Sequence, residues 1–339
     1  MSRRGRNWLA GFVVLATVLG SGALGWSAEK VVFNTDWVFY GRDLGWFVAK
    51  EKGYFSKAGL DVDIVRGFGS GDSVKKIASG TQQYGNVDLG TVVKARATQD
   101  LRLKAISSFH DRSLYVIFST KDRGIQTPKD LEGKTIGIAR GSALHELFPA
   151  LAAVNNIDAS KVKWVFMNAP ATIPSILGGK IDATLTFNTI RPAFQAASAK
   201  AKKSPVAILW SNYGLDVYSS GIIATDQTIQ TKAAQTKAFV GAAMRGIAFA
   251  IENPEEALDI FMKVNPTSNR NFNRATWKIT VEHMLTPYQK KNGLGQISKA
   301  KMEKTRDIIT QHAKLPKSVP VSELYTNEFL PKLFPKPSQ

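Results

Sequence analysis

Three short turns in the chain pair glycine with a hydroxyl: Gly69-Ser70-Gly71-Asp72-Ser73, Gly90-Thr91 and Gly141-Ser142. Each follows an apolar, β-rich run and opens a helical one. That arrangement points the free N–H groups and positive dipole end of a helix at the C-terminal edge of a strand. A carboxylate, a sulfonate or the polar edge of a ring fits there. The same Ser70, Thr91 and Ser142 serve equally well as plain N-caps, so each turn alone leaves both roles open. A second group is aromatic. Asp36-Trp37 lies directly after the first apolar run, with Phe39, Tyr40 and Arg42 in the same loop, and a ring there can stack on a planar ligand. Farther along, Asn188 ends a β-run and offers both a donor and an acceptor to a heterocycle edge. Arg112 either neutralises an anionic ligand or pairs with a carboxylate. Tyr213 and Tyr218 suit ligand contact or packing, and Asp88 is expected to cap backbone rather than touch solute.

Covalent and metal chemistry find little support. The 339 residues contain no cysteine, which removes thiolate nucleophiles, thiolate zinc and iron–sulfur ligation. The four histidines, His110, His145, His283 and His312, are far apart and show no HExxH spacing; there is no P-loop and no GxSxG elbow. His145 alone is placed near a helix start that could face a ligand. A catalytic function, a metal and a cofactor are therefore not expected. The net charge of +18 comes from scattered lysines and arginines without interleaved aromatics or a nucleic-acid motif, so it is read as solvated faces that favour anionic ligands or surfaces.

The elements that must position these residues alternate. Residues 31–34, 62–65, 87–89, 103–107, 114–119, 162–166, 183–187 and 222–224 read as strands. Residues 44–52, 70–79, 91–99 and 173–177 read as intervening helices, and Asp130 to Asn155 as a second strand-glycine-helix unit. Glu51 to Val65 shows one α/β unit in miniature, with Phe55 and Leu60 around the helix end, Gly59 at the turn and Val62, Ile64 and Val65 starting the strand. After Gly221 the chain becomes helix-rich over 235–252, 254–264, 274–283 and 298–313, where Asn253-Pro254 marks a break and restart. Strands early and helices late predict a mostly parallel α/β fold in two lobes, the helical tail packing back on the first.

The N-terminus carries Arg3, Arg4 and Arg6, an apolar run from Trp8 to Leu19 and small residues up to Ala28, the layout of a signal peptide removed on export. Without cysteine there is no lipid anchor, so free solution in a periplasm is expected.

The strings EKGYFSKAGLDV, GSGDSVKKIASG, DRSLYVI, TPKDLEGKTIGIARGSA, SILGGKIDATL and ENPEEALDI, in this order, resemble the nitrate/sulfonate/taurine-binding group of ABC-importer solute receptors, including its thiamine-pyrimidine-precursor (NMT/THI-like) branch. The resemblance implies an α/β fold of the type II periplasmic binding protein kind, with two lobes joined by a two-stranded hinge and a ligand cleft between them. The expected division is a signal peptide at 1–28, a first lobe at 29–119, a second at 120–217, and a return to the first at 218–339, with crossings at 116–120 and 218–224. Where this branch carries an Asp-Trp pair followed by proline, asparagine and histidine, the chain reads Asp36-Trp37 and then Val38-Phe39-Tyr40-Gly41. The fungal pyrimidine synthases of the same fold work through a cysteine-rich iron site that this chain lacks. The implied function is capture of a planar heteroaromatic or a sulfonate-like anion by a monomer, delivered to an ABC permease and its ATPase. A sensory module feeding a membrane signalling protein is the alternative. The implied ligand residues are Asp36, Trp37, Tyr40, Arg42, Gly69, Ser70, Gly71, Asp72, Thr91, Arg112, Gly141, Ser142, Asn188 and Tyr218.

Overall fold

Ten strands assemble into two five-stranded sheets in the computed structural model, which describes residues 28–337. The expected signal peptide lies outside the described residues. In chain order the strands are β1 (Glu29–Asn34), β2 (Leu60–Val65), β3 (Tyr84–Asp88), β4 (Leu103–Ser108), β5 (Tyr115–Thr120), β6 (Thr135–Ile138), β7 (Lys163–Phe166), β8 (Ala183–Phe187), β9 (Pro205–Leu209) and β10 (Ser220–Thr225). The first sheet runs β2-β1-β3-β10-β4 and the second β7-β6-β8-β5-β9. Both follow one plan. Parallel strands built by crossover helices occupy one side, and the fourth position holds an antiparallel strand, β10 in the first sheet and β5 in the second.

Each antiparallel strand is the one that has just arrived from the other lobe. This moves both crossings from where the sequence put them, since 220–224 of the expected return link 218–224 belong to β10, paired with β3 and β4. Residues 116–120, expected as an extended link, are part of β5 and pair on both edges with β8 and β9. The reason is burial: all six residues of β5 are buried, as suits a strand covered on both faces and flanked on both edges. The links are instead the segments just before β5 and β10, held to each other where the Ser219 N–H donates to His110 O (3.4 Å), and the Phe109 and His110 N–H groups donate to Ser220 O at the start of β10 (2.8 and 2.9 Å).

The C-terminal helices return to the first lobe. Helix Ala233–Glu252 crosses helix Leu44–Glu51 so closely that a Cβ on Gly246 would sit 2.3 Å from Gly45 O; only glycine permits that approach. Phe239 from the long helix stacks on Tyr84 and Phe55 at 4.3 and 5.4 Å within the first-lobe core. Val116, Phe118, Ile176 and Phe194 form a smaller core in the second lobe. A third cluster is shared. Val92 and Val93 of helix Leu89–Gln99, Leu147 and Leu151 of helix Ala143–Val154, and Met302 and Ile309 of helix Lys299–His312 pack together behind the crossings. Thr305 in the last of these helices accepts from the Tyr218 N–H through its hydroxyl (3.0 Å). Two helical segments absent from the sequence expectation, Arg191–Lys200 and the first turn of Ala169–Leu177, cover the second sheet, whose edge strand β9 was also not foreseen.

Candidate ligand cleft

The site begins where β1 ends. Thr35 extends the pairing by donating its N–H to Val65 O (3.0 Å), and then the Asn34 side chain accepts the Asp36 N–H (2.6 Å) and turns the chain. Asp36 is left in the left-handed region at φ 61°, uncommon for a residue other than glycine, so its conformation is held by its surroundings. Its carboxylate is engaged on both oxygens: Arg42 Nη2 donates to Oδ1 at 2.5 Å and Ser70 Oγ donates to Oδ2 at 2.6 Å. The guanidinium also donates to Thr35 O (2.6 Å), and Ser73 Oγ donates to Asn34 Oδ1 (2.9 Å). Burial raises the Asp36 pKa and the Arg42 charge opposes the rise. Burial also lifts Asp43 to about 7, against the same guanidinium, and the Tyr40 phenol to about 12. This is a rigid polar block under the cleft floor, its hydrogen-bonding capacity largely spent internally.

Gly69 opens helix Ser70–Ala78 at φ 116°, and a Cβ there would come within 2.2 Å of Gly141 O in the other lobe. Glycine satisfies both the backbone angle and the close approach. The lobes touch along this line. Gly71 N–H donates to Gly141 O (3.2 Å), Tyr40 Oη is hydrogen-bonded to Thr189 Oγ1 (2.9 Å), Thr276 Oγ1 donates to Thr189 O (2.9 Å), and Lys94 faces Glu146 at 3.7 Å.

Between them lies a cavity of about 180 Å³. Asp36, Trp37, Val38, Tyr40, Gly69, Ser70 and Phe272 wall it from the first lobe, and the second lobe contributes Ala139, Ser142, Ala169, Pro170, Thr172, Ile173, Thr184, Thr186, Phe187 and Ile190 among others. Tyr40 stacks on Phe272 with ring centroids 6.2 Å apart and planes 15° from parallel. The wall is mainly apolar and aromatic, with hydroxyls from Ser70, Ser142, Thr172, Thr184 and Thr186 spaced around it, a lining that holds a small ring and reads its edges.

Of the residues singled out from sequence, Asp36, Trp37, Tyr40, Gly69, Ser70 and Ser142 share this cavity wall. The others lie elsewhere. Arg42 sits behind Asp36 as its counter-ion, because the loop doubles back and buries both. Gly71 and Gly141 meet each other across the lobes through backbone. Asp72, half-exposed, pairs with Lys76 one helical turn on (2.7 Å). Thr91 donates its N–H to Asp88 Oδ1 (3.0 Å), an N-cap in which Asp88 has the role expected of it; the other Asp88 oxygen accepts the Tyr115 hydroxyl from the second lobe. Arg112 is exposed at the crossing, its N–H donating to His283 O (3.2 Å). Asn188 is buried, its N–H on Leu114 O (2.7 Å) and its side-chain oxygen without a partner among the described residues. Tyr218 is buried at the return crossing, its hydroxyl accepting the Ser298 N–H (2.8 Å). His145 packs edge-on against Trp164 and Phe166 (4.7 and 5.1 Å) and is not part of the wall.

Several wall residues were missed. Phe272 belongs to a helix that starts at Arg270, four residues earlier than its apolar spacing indicates. The signal was Asn269, whose side chain caps the Phe272 N–H (2.9 Å). Pro170 and Thr172 open helix Ala169–Leu177; Asn168 followed by a proline at the first turn announced that start. Among the described residues no cluster of three or more histidine or acidic side chains could hold a metal.

Two α/β lobes of one topology, joined by paired crossings with a cavity between them, have the fold of a type II periplasmic binding protein. The chain belongs to the NMT1/THI5-like family, whose pattern matches residues 43–257. It is similar to the riboflavin-binding protein RibY of Chloroflexus aurantiacus, 23% identical over 84% of this chain and 82% of that one. The formylaminopyrimidine-binding protein of Halalkalibacterium halodurans is 24% identical over 71% and 72%. A third relative, the 4-amino-5-hydroxymethyl-2-methylpyrimidine phosphate synthase of Legionella pneumophila, is 24% identical over 84% and 87%, so the similarity reaches synthases as well as binding proteins. Among solved structures, a chain from Bordetella bronchiseptica RB50 superposes with a TM-score of 0.72, at 18% identity over 89% and 95%. The periplasmic aliphatic sulphonate binding protein SsuA of Escherichia coli gives 0.62, at 12% identity over 92% and 96%.

Proposed function

We propose that this chain is the substrate-binding component of an ABC importer, capturing a small planar heteroaromatic of the pyrimidine class and delivering it unchanged to a permease and ATPase. The observation that carries the reading is the inter-lobe cavity of about 180 Å³ with Trp37, Tyr40 and Phe272 on one side and the Thr172, Thr184 and Thr186 hydroxyls on the other. That volume lies below the roughly 300–1,000 Å³ of drug-sized pockets, which favours a single ring over a fused tricycle. The names of the formylaminopyrimidine-binding and sulphonate-binding relatives point to small solutes of this size class.

A synthase reading needs a free acid, base or metal at the ligand. The one carboxylate in the wall, Asp36, has both oxygens occupied by Arg42 and Ser70, and no histidine reaches the wall. Capture therefore suits these residues better than chemistry. The export layout of the N-terminal residues and a likeness to periplasmic receptors support a periplasmic site of action, and a diffusing carrier of this kind works as a monomer. Titration calorimetry with single-ring pyrimidines, followed by chromatography of the recovered ligand, tests the reading. One-to-one binding with the ligand intact is expected, and Trp37→Ala weakens it by about 2 kcal/mol, as for a central aromatic anchor. Conversion of the ligand, or affinity indifferent to Trp37→Ala, overturns it.

A further inference from the structure

Beside the ring cavity lies a second recess of about 760 Å³. Trp37, Val38, Ala139, Ala169 and Pro170 belong to the walls of both spaces, so the two adjoin. The chamber contains no carboxylate. Its charged residues are Arg66 from the first lobe and Arg140 from the second. Each guanidinium lies over an aromatic ring of its own lobe, Arg66 over Phe68 at 4.7 Å and Arg140 over Phe166 at 4.5 Å, and Lys76 lies 5.3 Å from the same Phe68 ring.

These phenylalanines are unusual. Phe68 is 58% exposed and Phe166 is 40% exposed, although the rest of the large aromatic inventory in both lobes is mostly buried. They are not core residues left uncovered; they sit at the rim and support cations. Stacking on a ring fixes the plane of a guanidinium while leaving its N–H edge free, the geometry that grips phosphate or sulfonate in a bidentate manner. Neighbouring cations are differently used: Lys76 is paired with Asp72 and Lys94 with Glu146, whereas Arg66 and Arg140 have no ion-pair partner among the described residues. Two guanidiniums without an ion-pair partner among the described residues, one per lobe, thus face a recess without acidic residues that adjoins the ring site.

We infer that the outer chamber is an anion subsite, taking the phosphate or sulfonate arm of a ligand whose single ring occupies the inner cavity. The inference rests on the inner cavity being a ring site. It adds a function for Arg66 and Arg140: because they come from opposite lobes, a bridging anion ties the lobes together and couples closure to ligand charge. Selection then favours the anionic member of any pair of ligands that share a ring.

The test is titration calorimetry on the full chain with matched pairs: 4-amino-5-hydroxymethyl-2-methylpyrimidine against its monophosphate, and benzyl alcohol against benzyl phosphate and phenylmethanesulfonate. The expected result is that the anionic members bind about tenfold or more tightly than their neutral partners, a preference that weakens with added salt. In Arg66→Gln/Arg140→Gln the preference disappears while affinity for the neutral members changes less than about twofold. The phosphate and sulfonate arms decide which anion the subsite takes. Neutral and anionic members binding equally, or a preference that survives the double substitution, overturns the subsite while leaving the ring site standing. Binding by no member of any pair overturns both. Both arginines are exposed, so the variants are expected to fold, and equal melting temperatures without ligand check it.

Discussion

The two faces of the cleft are built on different principles. The first-lobe face is a buried, charged, hydrogen-bonded block: Asn34, Asp36, Arg42, Ser70 and Ser73 hold one another, and Asp36 is fixed at φ 61°. The second-lobe face is mostly carbon, with Ala139, Pro170, Ile173, Phe187 and Ile190 around three threonine hydroxyls. A rigid polar face fixes orientation, and a contoured apolar face fixes size. The cleft divides recognition accordingly, and the first face carries most of the stability risk, because breaking a buried charged network leaves a partner unsatisfied.

The largest expected effect follows from that asymmetry. Asp36→Ala leaves the buried Arg42 guanidinium without its closest carboxylate and is expected to cost about 3–5 kcal/mol of unfolding free energy by urea titration. Thr184→Val, the corresponding removal of a polar group from the other face, breaks a hydrogen bond to Gly137 O (2.7 Å) and is expected to cost about 1 kcal/mol. Equal costs break the comparison. Next is Gly69→Ala, whose Cβ must displace Gly141 O and adopt φ 116°, at about 1–3 kcal/mol. The effect falls on closure, so small-angle scattering of the variant is expected to show a larger radius of gyration than wild type, and an unchanged radius refutes it.

The pH dependence sharpens the contrast at the bond that joins the lobes. Burial raises Asp88 to about 7, opposed by the Tyr115 hydroxyl, while the unfolded side chain titrates near 3.8. Between these values the native state holds more protons, so Asp88 stabilises the fold at acid pH and that contribution is lost as pH rises toward 7. Asp88→Asn is expected to make the change in urea midpoint from pH 4.5 to pH 7.5 less downward than in wild type; Asp43 and Asp36, raised by the same burial, act in the same direction as Asp88, and the histidines His110, His145 and His283, lowered by burial, act in the opposite one. An unchanged slope refutes the assignment. The smallest effect is Tyr40→Phe, which removes the inter-lobe bond to Thr189 and is expected to weaken ligand binding by about 0.5–1.5 kcal/mol with little change in melting temperature.

Local signals made the α/β units readable. The Gly59 turn, the alternation after it and the Ser70 and Ser142 helix starts depend on neighbours within a few residues, and the structure places them as read. Nonlocal arrangement was not readable. Ser70 and Thr91 have the same glycine-hydroxyl setting in sequence, yet one reaches the cavity and the other donates its N–H to Asp88, which caps the helix; sheet order decides between them. Arg42 looks like a ligand group until the loop folds back on Asp36, and Phe272 lies 232 residues from the Tyr40 it stacks on. β9 escaped notice because it starts with a proline and, as an edge strand, is only partly buried.

Helix Lys299–His312 packs its Met302 and Ile309 into the apolar cluster shared by both lobes and receives the Tyr218 N–H on Thr305. It behaves as a spindle fastened to the rear of each half. Any opening that turned about it would carry the front of the cleft farther than the back, because the back is where the helix is packed. The spacing of the front lips is then where an open and a shut form would differ most, and the back where they would differ least.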